Sequence, residues 1–208
     1  MNHQFCFSRK ELLVFITLCF ISFQSVCQQV SRKSGESASQ FIGRLKPAGT
    51  ILAHPEVETS SLIQNTPAII ALYGYPTDKA DSLSFTKIMG HVYIQTQTGS
   101  YRDIQFGPID EDGGSPEVLS VFFANANKDK VSELIVLTKY PQRHYDYTGD
   151  LYETHIYTLT TKNNQLTYLE KLSEKFGGCE CEYKDGRKER AIYKNAKDIK
   201  TRLKKMGY

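Results

Sequence analysis

Tryptophan is missing from this 208-residue chain, cysteine is scarce at five, and the net charge is only +3. So small a charge gives no ground for expecting nucleic acid or anionic lipid as the partner. No G-x-S-x-G, H-E-x-x-H, G-x-G-x-x-G or G-x-x-x-x-G-K-[ST] pattern occurs, which turns the expectation away from an enzyme without excluding one. No repeat of about 20 to 50 residues is visible, so a solenoid or propeller is not expected. What is present is ordinary: 40% hydrophobic and 24% charged residues, which excludes collagen, a coiled coil and wholesale disorder. The length suits one domain with extra segments.

Long apolar runs are also scarce, and the longest is terminal. Arg9 and Lys10 precede Leu12–Phe23, and Gln24-Ser25-Val26-Cys27 follows. A basic start, an apolar stretch and small residues before a break are the parts of a secretory signal peptide, assigned here to residues 1–27. At about 1.5 Å per residue the run spans about 18 Å as a helix, short of the bilayer's about 30 Å. Retention as an anchor stays open, as does acylation at Cys27. With cleavage after Cys27, no transmembrane segment is expected to remain, and the destination is the periplasm or the exterior. The cleaved chain then keeps only Cys179 and Cys181, which do not make a disulfide framework, so the core must supply the stability.

Residues 28–40 are polar and are expected to be a flexible linker, with Ser37 or Ser39 capping a short helix over 40–45. Residues 41–208 are expected to form one α+β domain. Pro76–Lys79 reads as a turn, and His91–Gln97 with Tyr101–Phe106 reads as a hairpin turning at Gly99-Ser100. Val118–Ala124 and Glu133–Leu137 read as strands covered on both faces. A second hairpin is expected from strands near 133–147 and 151–160 joined at Thr148-Gly149, with a last strand over 165–172 after a Lys162–Asn164 turn. Ile192, Ala196, Ile199, Leu203 and Met206 then fall at helical spacing. The fold class is therefore α+β: a mainly antiparallel sheet of about five or six strands carrying a C-terminal amphipathic helix.

Candidate chemistry gathers on the second hairpin. A Thr148-Gly149 turn pairs Tyr147 with Asp150, Tyr145 with Tyr152, and His144 with Glu153. Period 2 then sets His144, Asp146, Glu153 and His155 on one face, with Tyr145, Tyr147, Tyr152 and Ile156 on the other. Two His and two carboxylates suit Zn²⁺ or general acid–base work. A one-residue slip would scatter the set, and a polar sheet face with a His–Glu pair is the plainer reading. The tyrosines suit a ridge for a ligand. Asp110-Glu111-Asp112-Gly113-Gly114 reads as a solvated acidic turn. Cys179-Glu180-Cys181 is open to a local disulfide, free or intermolecular thiols, or a redox or metal role.

Asn125, Asn127 and Asp129 alternate, Glu133 follows four residues later, and Leu134 begins an apolar run. This stretch resembles the D-x-[DN]-x-D-G-x-x-[DE]-L loop of FG-GAP and VCBS-type repeats. The resemblance implies Asn125, Asn127, Asp129 and Glu133 as Ca²⁺ ligands and a strand from Leu134 onward. Asn stands at two of the family's Asp positions and Lys130 at its Gly. The residue-level alternative is a turn whose Asn and Asp bond their own backbone.

Charge is polarised. Residues 182–208 hold ten Lys or Arg against four Asp or Glu, and 28–181 carry a net of −4. The tail suits an anionic surface or acidic partner, or a solvated helix face complementing an acidic body. The leading expectation is an exported, non-enzymatic binding domain of the cell envelope or extracellular space, its partner a protein or ligand there. The alternative is a secreted metal-dependent or hydrolase-like enzyme using the His144/Glu153/His155 face.

Overall fold

The computed structural model describes residues 29–63, 65–78, 81–129, 131–160 and 164–208. The signal-peptide reading at 1–27, Lys79, Lys130 and the Lys162-Asn163 part of the expected turn lie outside them. Ten strands are named among the described residues: β1 (Gln29–Ser31), β2 (Ile51–Thr59), β3 (Ala68–Asp78), β4 (Asp81–Gln97), β5 (Ser100–Asp110), β6 (Glu117–Ala124), β7 (Glu133–Arg143), β8 (Tyr147–Thr160), β9 (Gln165–Tyr168) and β10 (Gly178–Tyr183). Helices α1 (Ala38–Leu45), α2 (Glu170–Ser173) and α3 (Ala196–Lys205) complete the set, with a 3₁₀ turn over Glu174–Phe176. The α+β class, the antiparallel pairing and the C-terminal helix are as expected, but the strands form two sheets. One runs β1-β5-β4-β3-β2, and the other runs β10-β8-β7-β6 with β9 also on β8.

Period 2 explains the stacking of layers. In β3 every residue from Ala68 to Tyr73 is buried. Ala68, Ile70 and Leu72 enter the core between the sheets, while Ile69, Ala71 and Tyr73 face the opposite way, under α1. β7 repeats the scheme: Leu134, Val136 and Tyr140 point to the inter-sheet core, Ile135 and Leu137 to the layer under α3. Both strands are thus covered on both faces, giving the order α1, first sheet, second sheet, α2 with α3.

The ends of α1 and α3 are set by their caps. Ser37 Oγ accepts from Gln40 N–H (3.1 Å) and Gln40 Oε1 accepts from Ser37 N–H (2.9 Å), which closes a capping box in front of α1. Asn195 Oδ1 accepts from Asp198 N–H at 3.0 Å ahead of α3. Ile199 and Leu203 of α3 are buried against the second sheet.

Several local expectations are corrected. Gln29–Ser31, inside the segment read as a linker, pairs with Ser100–Arg102 of β5. Pro76–Asp78 lies within β3, not in a turn. The segment read as a strand over 165–172 is a strand only to Tyr168 and turns into α2 at Glu170. The β4–β5 hairpin does form, but its two-residue turn is Thr98-Gly99, not Gly99-Ser100: Gln97 faces Ser100, which already belongs to β5. Among the described residues no helix is long and apolar enough to cross a membrane.

Candidate functional site

The second hairpin turns earlier than its sequence suggests. Arg143 pairs with Thr148, Gln142 with Gly149, Thr138 with Glu153 and Val136 with His155. The pairs Tyr147–Asp150, Tyr145–Tyr152 and His144–Glu153 do not form, because the turn is His144–Asp146. Gly149 is not a turn residue: it lies inside β8 beside β10, where a Cβ would stand 2.2 Å from the Glu180 carbonyl oxygen. Glu153 and His155, two apart on β8, keep one face in either register, while His144 and Asp146 leave for the exposed turn. His144 stacks on Tyr147 at 4.3 Å and its Nε2 meets Gln142 Oε1 at 2.9 Å. Tyr145 is 89% exposed and lies under the Lys184 ammonium, while Tyr147 packs on Tyr183. Tyr145 and Tyr147 are thus at the hairpin tip, Tyr152 lies within β8 between Lys139 and Gly178, and Ile156 is buried in the layer under α3, so the expected tyrosine face is split.

The face shared by Glu153 and His155 points into the sandwich, toward the core holding Leu134, Val136 and Tyr157. There a cleft of about 320 Å³ opens between the sheets. The first sheet contributes the end of β5 and the following loop, Gly107 to Asp112; the second contributes Tyr140, Glu153, His155, Tyr157 and Tyr168. Ile88 faces Ile109 while Gly90 faces Phe106, so Gly107 and Pro108 together oppose the single residue Met89. The bulge falls where β5 begins to line the cleft. The acidic loop is docked, not free: Gln142 Nε2 donates to the Asp112 carbonyl at 2.7 Å. At Gly114 a Cβ would stand 2.2 Å from the Pro141 carbonyl oxygen, so only glycine lets the loop lie this close to β7.

Inside the cleft the polar groups form one network. His155 Nε2 meets Thr138 Oγ1 at 3.0 Å and Tyr140 Oη at 3.4 Å, and lies 3.7 Å from Glu153 Oε2. The Tyr140 hydroxyl also bonds the Glu153 carboxyl. His155 is 8% exposed, and burial lowers its pKa from 6.5 to about 4, so the ring is neutral near pH 7. The His155–Glu153 contact is therefore not an ion pair at that pH. Burial raises the Glu153 carboxyl, the Tyr140 bond opposes the rise, and nearby Asp112 adds to it. Burial likewise raises the hydroxyls of Tyr140, Tyr157 and Tyr168. Tyr168 completes an aromatic wall, its ring 5.4 Å from Tyr157 and 6.1 Å from His155.

The calcium-like loop sits at the far end of β6 and is closed on itself. Asn125 Oδ1 accepts from Lys128 N–H (2.8 Å), Asn127 Oδ1 from Asp129 N–H (3.0 Å), and Asp129 Oδ1 from Val131 N–H (2.7 Å). Glu133 is 1% exposed and accepts from Ala126 N–H (2.6 Å) and the Thr158 hydroxyl (3.1 Å). Burial raises its carboxyl. Among the described residues no group of three or more His, Cys, Asp or Glu is disposed to hold a metal ion. Cys179 and Cys181 are joined in a disulfide across 5.3 Å between Cα atoms, on the edge strand β10.

Tyr140, Tyr157 and Tyr168 were not singled out from the sequence, and neither was the rim role of Asp110 to Asp112. Period 2 carried forward from Glu153 and His155 names Tyr157, and Tyr140 lies on the same face of β7. Only the sheet-on-sheet packing brings the acidic loop to them. Also unanticipated is a buried pair on the α1 side of the first sheet, His91 Nδ1 with Asp103 Oδ1 at 2.9 Å, between the Tyr73 and Tyr93 rings. Scans against family models, curated proteins and solved structures return no match. The resemblance to FG-GAP and VCBS loops is confined to the ten residues that suggested it.

Proposed function

We propose that this protein is an exported, non-enzymatic binding domain of the cell envelope or extracellular space, with the inter-sheet cleft as its ligand seat. The observation that carries the reading is the placement of Glu153 and His155. They occupy inward positions of a core strand whose neighbours on that face, Leu151 and Tyr157, pack into the apolar core. A carboxylate and an imidazole at such positions cost stability. Their wall position in a cleft of about 320 Å³ supplies a reason, since ligand sites combine an apolar lining with a few placed polar groups.

An enzyme using Glu153 and His155 is the second reading, favoured by the same adjacency. Two features weigh against it. A histidine whose conjugate acid has a pKa of about 4 is a poor proton acceptor at neutral pH. The hydroxyl on its Nε2, that of Thr138, is 0% exposed and out of reach of a substrate.

The test is a screen of small amines, sugars, carboxylates and peptides, read by the rise in melting temperature and by shifts of the Tyr157 and Tyr168 ring signals. Hits should be lost in Asp110→Trp, which fills the mouth. Hits that persist in that variant, or none that touch the cleft, overturn the reading. Turnover of a hit that disappears in His155→Gln favours the enzyme. Export is checked by N-terminal sequencing of the protein recovered outside the cytoplasm, expected to begin at Gln28.

A further inference from the structure

We infer that the cleft selects an organic cation, an ammonium or guanidinium group on a small hydrocarbon body; this rests on the binding reading above. Four of its eleven lining residues are carboxylic acids, Asp110, Glu111, Asp112 and Glu153, and none is Lys or Arg. The nearest cation by register, Lys87 opposite Asp110, is directed elsewhere, its ammonium 4.9 Å from the Tyr75 ring centroid. Lys139 is engaged by Glu117 at 2.8 Å. Among the described lining residues the charge is therefore negative, and these two lysines are turned to other partners.

Its walls narrow the choice of cation. The carboxylates are spread along the rim and floor and do not converge as metal ligands do, since no group of three among the described residues could hold an ion. A hard metal ion needs its oxygens within about 2.5 Å of one point. A spread of carboxylates beside three tyrosine rings suits a charge distributed over a larger body, whose carbon-bound surface lies against ring faces. Tyr168, half exposed at the entrance, and Tyr157, buried behind it, present such faces. The His155 ring adds a further flat surface and no opposing charge. A volume of about 320 Å³ corresponds to about ten water molecules of liquid, room for a choline-sized amine or the end of a Lys or Arg side chain.

Purified protein is titrated with choline, arginine amide and acetyl-Ala-Lys-Ala-amide, with 3,3-dimethyl-1-butanol as the neutral isostere of choline and glutarate as an anion. Calorimetry gives affinities, and the Tyr168 ring signals report the site. The expected result is saturable binding of a cation, at least about tenfold tighter than its neutral counterpart, with no response to glutarate. Glu153→Gln and Asp112→Asn each weaken it by about tenfold or more, with melting temperatures confirming that both remain folded. Tighter binding of the peptide than of the free amines assigns the cation to a partner protein's side chain; the reverse order assigns a small amine. Equal binding of the neutral isostere, binding of glutarate, or full affinity in both variants overturns the cation class while the cleft survives as a site. If no titrant moves Tyr168 and the screen above finds nothing in the cleft, both readings fall together.

Discussion

Two oxygen-rich regions of this molecule differ in how their polar atoms are used. In the loop from Asn125 to Glu133 the side-chain oxygens accept backbone N–H bonds from the same loop, and the carboxylate of Glu133 is buried as a strut beneath it. In the cleft, the carboxylates of Asp110, Glu111 and Asp112 lie exposed on the rim, and Glu153 is only half-buried. The loop carries the recognisable spacing and the cleft carries none. A spacing pattern identifies which atom types are present, but recognition depends on which of them still have free valences after folding.

The largest test of that contrast is stability. Glu133→Ala leaves the Ala126 N–H and Thr158 hydroxyl without their partner in a buried setting, and is expected to cost about 3 kcal/mol by urea denaturation. Glu153→Gln should stay within about 0.5 kcal/mol of the parent. Equal costs would abolish the distinction.

Next in size is the response to acid. His155 has an ordinary pKa of 6.5 and a folded value of about 4. A depressed value means the unfolded chain takes the proton first. Its contribution is therefore fully present above pH 6.5 and lost as pH falls toward 4. The loss amounts to about 2–3 kcal/mol. Comparing unfolding midpoints at pH 7 and pH 4.5 should show this slope in the parent and a flatter one in His155→Phe. An unchanged slope would mean that His155 is hydrated and not walled in.

The smallest expected effect is that of calcium. Weak extracellular sites fill near about 1 mM, so about 10 mM Ca²⁺ is a fair challenge. With its oxygens already bonded, the loop should give a rise in melting temperature of less than about 1 °C. A clear rise that Asp129→Ala removes would show that the loop can reopen its own hydrogen bonds for a cation, and the comparison would then have to be redrawn.

Much of the fold was legible wherever one element dictates its own periodicity. The helix carrying Ile199 and Leu203, the β4–β5 hairpin (one residue off in its turn) and the apolar strands β6 and β7 all follow from local pattern. β2 was not legible, because it shifts register at Leu52/His54 and again at His54/Val57 and so breaks period 2. The site was half legible. Glu153 and His155 were selected correctly as face-mates, but His144 was added by trusting Thr148-Gly149 as a turn. That glycine answers to the close approach of β10, a contact made by residues about 30 positions later. The tail shows the same dependence on tertiary contact. Arg187, Lys188, Arg190 and Lys194 find carboxylate partners, whereas no cation of α3 forms an ion pair among the described residues.

On its outer edge β8 pairs with β10 as far as Tyr152 and with β9 only from Tyr157. The four residues between, Glu153 to Ile156, have no strand there. The connection through α2 closes the gap instead: Ser173 Oγ accepts from Ile156 N–H, Leu169 N–H donates to the Ile156 carbonyl, and Thr154 Oγ1 donates to the Phe176 carbonyl. Residues 169–177 also bury Leu172 and Phe176 in the core under α3, so this closure of the β8 edge beside Glu153 and His155 is held by packing as well as by these bonds. If the cleft is occupied as proposed, steadying those two side chains is expected to slow hydrogen exchange at the Ile156 amide, an atom the ligand never touches.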